Sequence, residues 1–183
     1  MPRLIGLTGY ARSGKSTVAA ILRQAHAFHE ISFAEPIRDF TRQLLNYSFA
    51  ELEANKETPI DWLDGVTPRR MMQTLGTEWG RQMIHPEIWV RVAIQEAKAC
   101  MVEGGSDIVI SDVRFPNEAA AIREAGGVIW RVYRTGTEPK PGQELHPSEA
   151  HVSEIEFDGF ISNVSTLEHL MKRVRATLDG EGE

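Results

Sequence analysis

The eight residues Gly9-Tyr10-Ala11-Arg12-Ser13-Gly14-Lys15-Ser16 constrain this chain more than any other stretch. They follow a short apolar run, residues 4–8, and precede a helical pattern in which Val18, Ala19, Ile21 and Leu22 are available for packing. A glycine-rich turn between a buried strand and a helix lets backbone amides turn inward around an anion, and the helix N-terminus adds its positive dipole. In that setting Lys15 reaches terminal phosphates and the Ser16 hydroxyl suits a Mg²⁺ ion. Gly9, Ala11, Arg12, Ser13, Gly14 and Thr17 complete the expected cradle, although the hydroxyls of Ser13 and Thr17 fit helix capping equally well. The pattern points to nucleoside triphosphate binding and leaves the use of that nucleotide open.

The rest of the chain alternates short apolar runs with helical patterns. Strands are expected at residues 4–8, 31–34, 107–111, 128–132 and 157–161. Helices are expected after Pro36, from Thr67-Pro68, from Pro86 with Trp89, Val92, Ala93, Ala97, Cys100 and Met101 as a core stripe, and from a capping-box spacing at Ser165 to Glu168. The closing helix offers Leu167, Leu170, Met171, Val174 and Leu178 as one apolar face. Strands separated by helices of this length imply an α/β fold: a five-stranded parallel sheet with helices on both faces and ligands at the carboxyl ends of the strands. The 183 residues suit one domain, 1–183, with a helical substrate-binding insertion at about 35–90 and a lid loop at about 134–151.

Charge and cysteine usage narrow the setting. With 26 acidic and 20 basic side chains the net charge is -6, which argues against a protein that coats nucleic acid or anionic membrane. Cys100, the only cysteine, cannot form an intramolecular disulfide, and no signal-peptide core or 18-residue apolar run occurs, so a reducing cytoplasm is the expected compartment. No Asn-Lys-x-Asp guanine signature is present and the chain is short for a motor, which favours a small-molecule kinase over a switch or a mechanical ATPase.

At this point four segments fit together, and the chain resembles the phage deoxynucleoside monophosphate kinases, a branch of the P-loop nucleoside monophosphate kinases. The segments are Thr8 to Thr17, Ala34-Glu-Pro-Ile-Arg-Asp39, Arg69-Arg-Met-Met-Gln-Thr-Leu-Gly-Thr-Glu78, and Asp112-Val-Arg114 with the downstream Ala125 to Ile129. His146-Pro-Ser-Glu149, Ile161-Ser-Asn163 and Leu167 to Leu170 extend the likeness over nearly the whole chain. It departs where Asn163-Val164-Ser165 stands in place of the usual Asn-Asp-Gly. The resemblance implies a P-loop NTPase fold and ATP- and Mg²⁺-dependent phosphorylation of a deoxynucleoside monophosphate. It also implies Arg38 as a substrate-phosphate residue, Asn163 at the adenine end of the donor pocket, and His146 and Glu149 in a donor-side or lid network. A phage origin would make the compartment the host cytoplasm. Neither a nucleic-acid polymer nor a membrane is an expected partner, and dimerisation is left open. The alternatives are another small-metabolite kinase, similar to dephospho-coenzyme A kinase, and a nucleotide-binding switch.

A kinase of this size needs a second anion site, and arginine suits it because the guanidinium fork matches phosphate bidentately. On the helix from Pro68, Arg70, Gln73, Thr74 and Thr77 fall on one side at helical spacing, with Arg81 a turn beyond, while Met72, Leu75 and Trp79 fall toward the core. Arg70 can meet the acceptor phosphate and Gln73 the edge of a base, although a solvated helix face reads the same way. Trp79 and Trp89 fit core packing better than stacking on a base. Asp112 and Arg114 stand at the end of a core strand, the first suited to a Mg²⁺-bound water and the second to a phosphate; a polar strand terminus is the plainer reading of Asp112. Glu35 is a further candidate for the substrate sugar or a metal water. Arg131 and Arg134 stand at the root of the lid, where Arg134 can neutralise transition-state charge and either can equally be a strand-end cation. His146, Glu149 and His151 lack a fourth ligand for a transition metal.

Overall fold

The computed structural model describes residues 2–139 and 151–180. Five parallel strands make one sheet in the order β2-β3-β1-β4-β5, with β1 Leu4–Thr8, β2 His29–Ile31, β3 Ile108–Val113, β4 Val128–Tyr133 and β5 Gly159–Ser162. All five residues of β1 are buried. A strand with no exposed face cannot alternate polar and apolar residues, which is why Leu4 to Leu7 reads as an unbroken apolar run. Ile5, Leu7, Val109, Trp130, Val132 and Ile161 face helices α1 (Lys15–His26) and α7 (Leu167–Leu178), which contribute Val18, Leu22, Leu170 and Val174 to the same core. On the opposite side Ile122 of α6 (Pro116–Glu124) packs over Gly6 and Ile129.

The chain divides into two compact units. The first comprises Met1–Ser32 and Ala93–Glu183 and holds the sheet; the second is Phe33–Val92. The second unit contains α2 (Glu35–Leu45), α3 (Phe49–Asn55), α4 (Pro68–Gln73) and the first residues of α5 (Ile88–Gly104). Ser48 and Glu51 cap α3 reciprocally: Glu51 N–H donates to Ser48 Oγ at 3.2 Å, and Ser48 N–H donates to Glu51 Oε2 at 2.7 Å. Hydrogen bonding of the Glu51 carboxylate to the Ser48 side chain and to the Ser48 backbone N–H lowers the Glu51 pKa from its ordinary value. Thr67 accepts from Arg70 N–H and Pro68 sits at the start of α4, the expected opening of that helix.

Several sequence expectations shift. The second strand is His29–Ile31 and not residues 31–34, because the chain leaves the sheet at Ser32, whose hydroxyl donates to Asp112 Oδ2 at 2.7 Å. The last helix is capped by Thr166, not Ser165, so Leu170 and Val174 turn inward while Leu167 and Met171 are exposed. In α5 the buried positions are Trp89, Val90, Ala93 and Ala97; Val92 is exposed and Cys100 is half-buried.

The largest departure follows α4. From Thr74 to Ile84 the helix continues with π geometry over 11 residues. Such segments are normally a single turn, so packing must hold this one. Trp89 supplies that packing: its indole Nε1–H donates to Gly76 O at 2.8 Å, and its ring lies where a Cβ on Gly80 would fall, 2.5 Å from Cζ2. The changed period buries Gly76 and Gly80 and leaves Trp79 43% exposed, against the expectation that it faces the core.

The substitution Gly80→Ala tests this packing. Alanine is the better helix former by about 1 kcal/mol, yet overpacking against a fixed indole costs about 1–3 kcal/mol. The expected net result is a lower urea midpoint, and an unchanged or higher one would show that Trp89 yields without cost.

Candidate functional site

In the first unit, the loop that springs from the end of β1 is held by contacts of the chain itself. Gly14 sits at the N-cap of α1 with φ 104°, a conformation that favours glycine, and a Cβ there would lie 2.2 Å from Asn163 Nδ2. Arg12 is also left-handed at φ 63°, a cost of order 1 kcal/mol that clusters at functional loops. Asn163 fastens the loop from outside: its Nδ2 donates to Ser13 O at 2.9 Å, and its own N–H donates to Tyr133 O at 2.7 Å. Lys15 Nζ reaches back over the loop and donates to Gly9 O at 2.6 Å and Tyr10 O at 2.9 Å.

The loop fits a polyphosphate. Among the described residues Ser13 Oγ is buried without a hydrogen-bond partner, and Thr8 Oγ1, at the end of β1, is in the same condition. Buried hydroxyls left unpaired cost about 1–3 kcal/mol each, and at a helix N-terminus an anion satisfies them. Ser16 is the second residue of α1, and β3 delivers Asp112 beside the loop, since Val113 pairs with Thr8 after a shift of register past Gly6. A hydroxyl and a carboxylate of this kind are the hard oxygen donors that suit Mg²⁺.

Around the loop the other candidates of this unit fall into two groups. Thr17, Arg134, Thr135, Asn163, Ser165 and Leu167 line a pocket of about 370 Å³. Arg114 stands exposed just past β3, and its backbone N–H donates to Glu118 Oε2 at 2.7 Å. Glu118, 3% exposed, also accepts from Phe115 N–H at 3.1 Å and so fixes the turn that carries Arg114. Sequence reasoning missed Glu118, though its position two residues after Pro116, at the third residue of α6, is where a helix-opening carboxylate belongs. Arg131 is not a free lid cation: its Nη2 donates to Val152 O and Ile155 O at 2.6 and 2.7 Å, and its guanidinium lies 4.7 Å from the Phe157 ring centroid. Burial lowers its pKa, with Tyr10 opposing. His151 pairs with Glu154 at 3.0 Å, while His146, Glu149 and most of the expected lid lie outside the described residues.

In the second unit, Glu35 opens α2 and Arg38 lies one turn on, its guanidinium 5.6 Å from the Phe49 ring centroid. Arg70 and Thr74 line a cavity of about 820 Å³ together with Phe40, Met71, Trp79 and Trp89, among others. Gln73 and Thr77, expected on the same face, are exposed and do not line it; for Thr77 the π geometry has already broken the 3.6-residue phase. Arg81 is half-buried.

The fold resembles solved kinases at low sequence identity. Dephospho-CoA kinase from Campylobacter jejuni covers 99% of this chain and 98% of its own at TM-score 0.52 and 15% identity. Shikimate kinase from Aquifex aeolicus covers 97% and 96% at TM-score 0.51 and 12% identity. Those likenesses establish the P-loop kinase fold and nothing narrower. Sequence relatives are more specific. A protein of Acanthamoeba polyphaga mimivirus, assigned as a deoxynucleotide monophosphate kinase, is 32% identical over 199 residues, covering 98% of each chain. The deoxynucleoside-5'-monophosphate kinase of Escherichia phage T5 is 38% identical over 98 residues, 53% of this chain and 36% of that one. The deoxynucleotide monophosphate kinase family model matches residues 43–174, a span that takes in α3, α4 and the π-helical segment of the second unit as well as the strands that follow. A shared phosphate loop alone could not produce that match, and the chain belongs to the deoxynucleotide monophosphate kinase family.

Proposed function

We propose that this enzyme transfers the γ-phosphoryl group of ATP, bound with Mg²⁺, to a deoxynucleoside 5'-monophosphate. The observation that carries the donor half is the loop with the buried Ser13 hydroxyl, unpartnered among the described residues, inside it and Lys15 across it. The family match supports the acceptor. An oxygen of the acceptor phosphate bonds to the γ-phosphorus as the bond to the β–γ bridging oxygen breaks, and ADP leaves. The acceptor oxygen is already ionised at neutral pH, so positioning and charge neutralisation carry the reaction without a general base.

The residues take the following roles in this reading. Gly9, Ala11, Arg12, Ser13, Gly14, Lys15, Ser16 and Thr17 hold the donor phosphates, Lys15 leaving the loop carbonyls for the terminal phosphate. Ser16 and Asp112 would hold the Mg²⁺, which when bound neutralises charge on the donor phosphates. Asn163 braces the loop and borders the pocket for the adenine end, with Arg134 at its edge. Arg38, Arg70, Arg81 and Arg114 are the candidate partners of the acceptor phosphate, and Glu35 of the sugar or a metal water. The substrate is the free nucleotide, with no polymer or membrane partner. Among the described residues no helix is long and apolar enough to cross a membrane. In a phage-encoded enzyme the compartment would be the host cytoplasm.

Removing Lys15 tests the donor half. Lys15→Ala should lower kcat by about 10³-fold, the typical loss of one preorganised charge in a transition state, while the folded protein remains. Near-normal turnover would end the assignment.

Asn163→Ala removes the brace without touching the loop itself. One lost hydrogen bond is worth about 1 kcal/mol, so the affinity for an ATP analogue should fall about fivefold in calorimetry, with acceptor binding unchanged. Arg114→Ala should do the reverse, weakening acceptor binding by about 10- to 150-fold, as expected for a bond to a charged group, and leaving the ATP analogue alone. Loss of ATP affinity in Arg114→Ala would move that residue to the donor side.

A further inference from the structure

The chain passes from β3 to α6 through two residues, Arg114 and Phe115. Arg114 is exposed and its side chain has many rotamers, so the course of its backbone decides what the guanidinium can reach. That backbone is fixed from several sides. Pro116 confines Phe115 to the extended region, where it stands at φ -122° and ψ 148°. Both backbone donors of the connection go to one oxygen, Glu118 Oε2, from Arg114 N–H at 2.7 Å and from Phe115 N–H at 3.1 Å. The main chain returns the bond, with Glu118 N–H donating to Phe115 O at 3.1 Å. The Phe115 ring packs in turn against His151, the centroids 5.8 Å apart.

Glu118 does more than open a helix. A carboxylate at the third helical residue ordinarily reaches back to the N–H of the N-cap residue, here Phe115. This one goes a residue farther and makes its shorter bond to Arg114, outside the helix. It does so at 3% exposure, where an acidic side chain is rarely found unless its oxygens are bonded. The carboxylate therefore serves the connection that carries Arg114, and a group this buried is shielded from a ligand at the surface.

We infer that Glu118 is a positioning residue for the acceptor: it holds the backbone from which Arg114 meets the acceptor phosphate, and its effect on binding passes through Arg114. This rests on the kinase reading and deepens it. A rigid mount spares the acceptor the ordering of the turn, leaving only the Arg114 side chain to be immobilised. Loss of the mount should therefore weaken the acceptor and spare the donor.

The test is calorimetric binding of two ligands: a non-hydrolysable ATP analogue, and whichever of dAMP, dGMP, dCMP and dTMP wild type binds most tightly. The proteins are wild type, Glu118→Met, Glu118→Gln, Arg114→Ala and the two double variants, with ADP formation by wild type assayed separately. Methionine fills the space and removes the accepting oxygen. Glu118→Met should weaken the monophosphate about tenfold, leave the ATP analogue unchanged, and cost less than about twofold once Arg114 is alanine. Glu118→Gln keeps an accepting oxygen without the charge, so its loss should be about threefold, again only while Arg114 is present. That variant carries the comparison if Glu118→Met does not fold. Losses that are the same with and without Arg114, equal for both ligands, or absent from both single Glu118 variants overturn the inference. If the coupling to Arg114 appears but wild type forms no ADP, the kinase reading fails and the positioning role stands. Normal ADP formation with losses independent of Arg114 leaves the kinase reading intact and removes the positioning role.

Discussion

β1 is hydrogen-bonded along both edges, to β3 on one side and β4 on the other, and covered on both faces. A strand held this way has no soft direction, so the loop leaving its end starts from a fixed point. The phosphate cradle inherits that rigidity. After a shift of register past Gly6, Val113 pairs with Thr8, so the candidate metal carboxylate of Asp112, the residue before it in β3, is carried by the sheet and not by a flexible connection. Electrostatic catalysis depends on groups that need not reorganise when charge develops, and a central buried strand is a direct way to supply them.

Much of this unit was legible in the sequence. Apolar runs too short for helices and a glycine-rich turn with Lys15 at its end left little freedom for β1, α1 or the sheet class. What was not legible depended on contacts remote in sequence. Asn163 was assigned to the donor pocket by resemblance, but nothing local announces that its amide holds Ser13 O. Arg131 read equally as a lid cation or a strand-end cation, and only the fold shows its guanidinium spent on the carbonyls of Val152 and Ile155. The capping pair Ser48 and Glu51, by contrast, has the spacing of a helix start and was readable from four residues.

The second unit was less legible for a different reason. Helical spacing assumes 3.6 residues per turn, and the stretch from Thr74 to Ile84 does not obey it. Arg70 and Thr74 share a face as periodicity suggests, whereas Gln73, Thr77 and Trp79 do not fall where it puts them. The signal was present in Gly76 and Gly80, poor helix formers four residues apart, whose missing side chains admit the Trp89 ring and its hydrogen bond. Sequence alone does not reveal which indole a pair of glycines is making room for.

The Asn163 bond to Ser13 spans 150 residues of chain. A ribosome therefore releases the loop, and then every strand that flanks it, before the residue that braces it exists. The nascent chain can close the β1 turn locally, but the finished binding site waits for β5 to dock at the sheet edge, the slow and non-local step of such a topology. The brace is thus a late product of synthesis: the loop reaches its full set of contacts only once the chain through Asn163 has been made and folded.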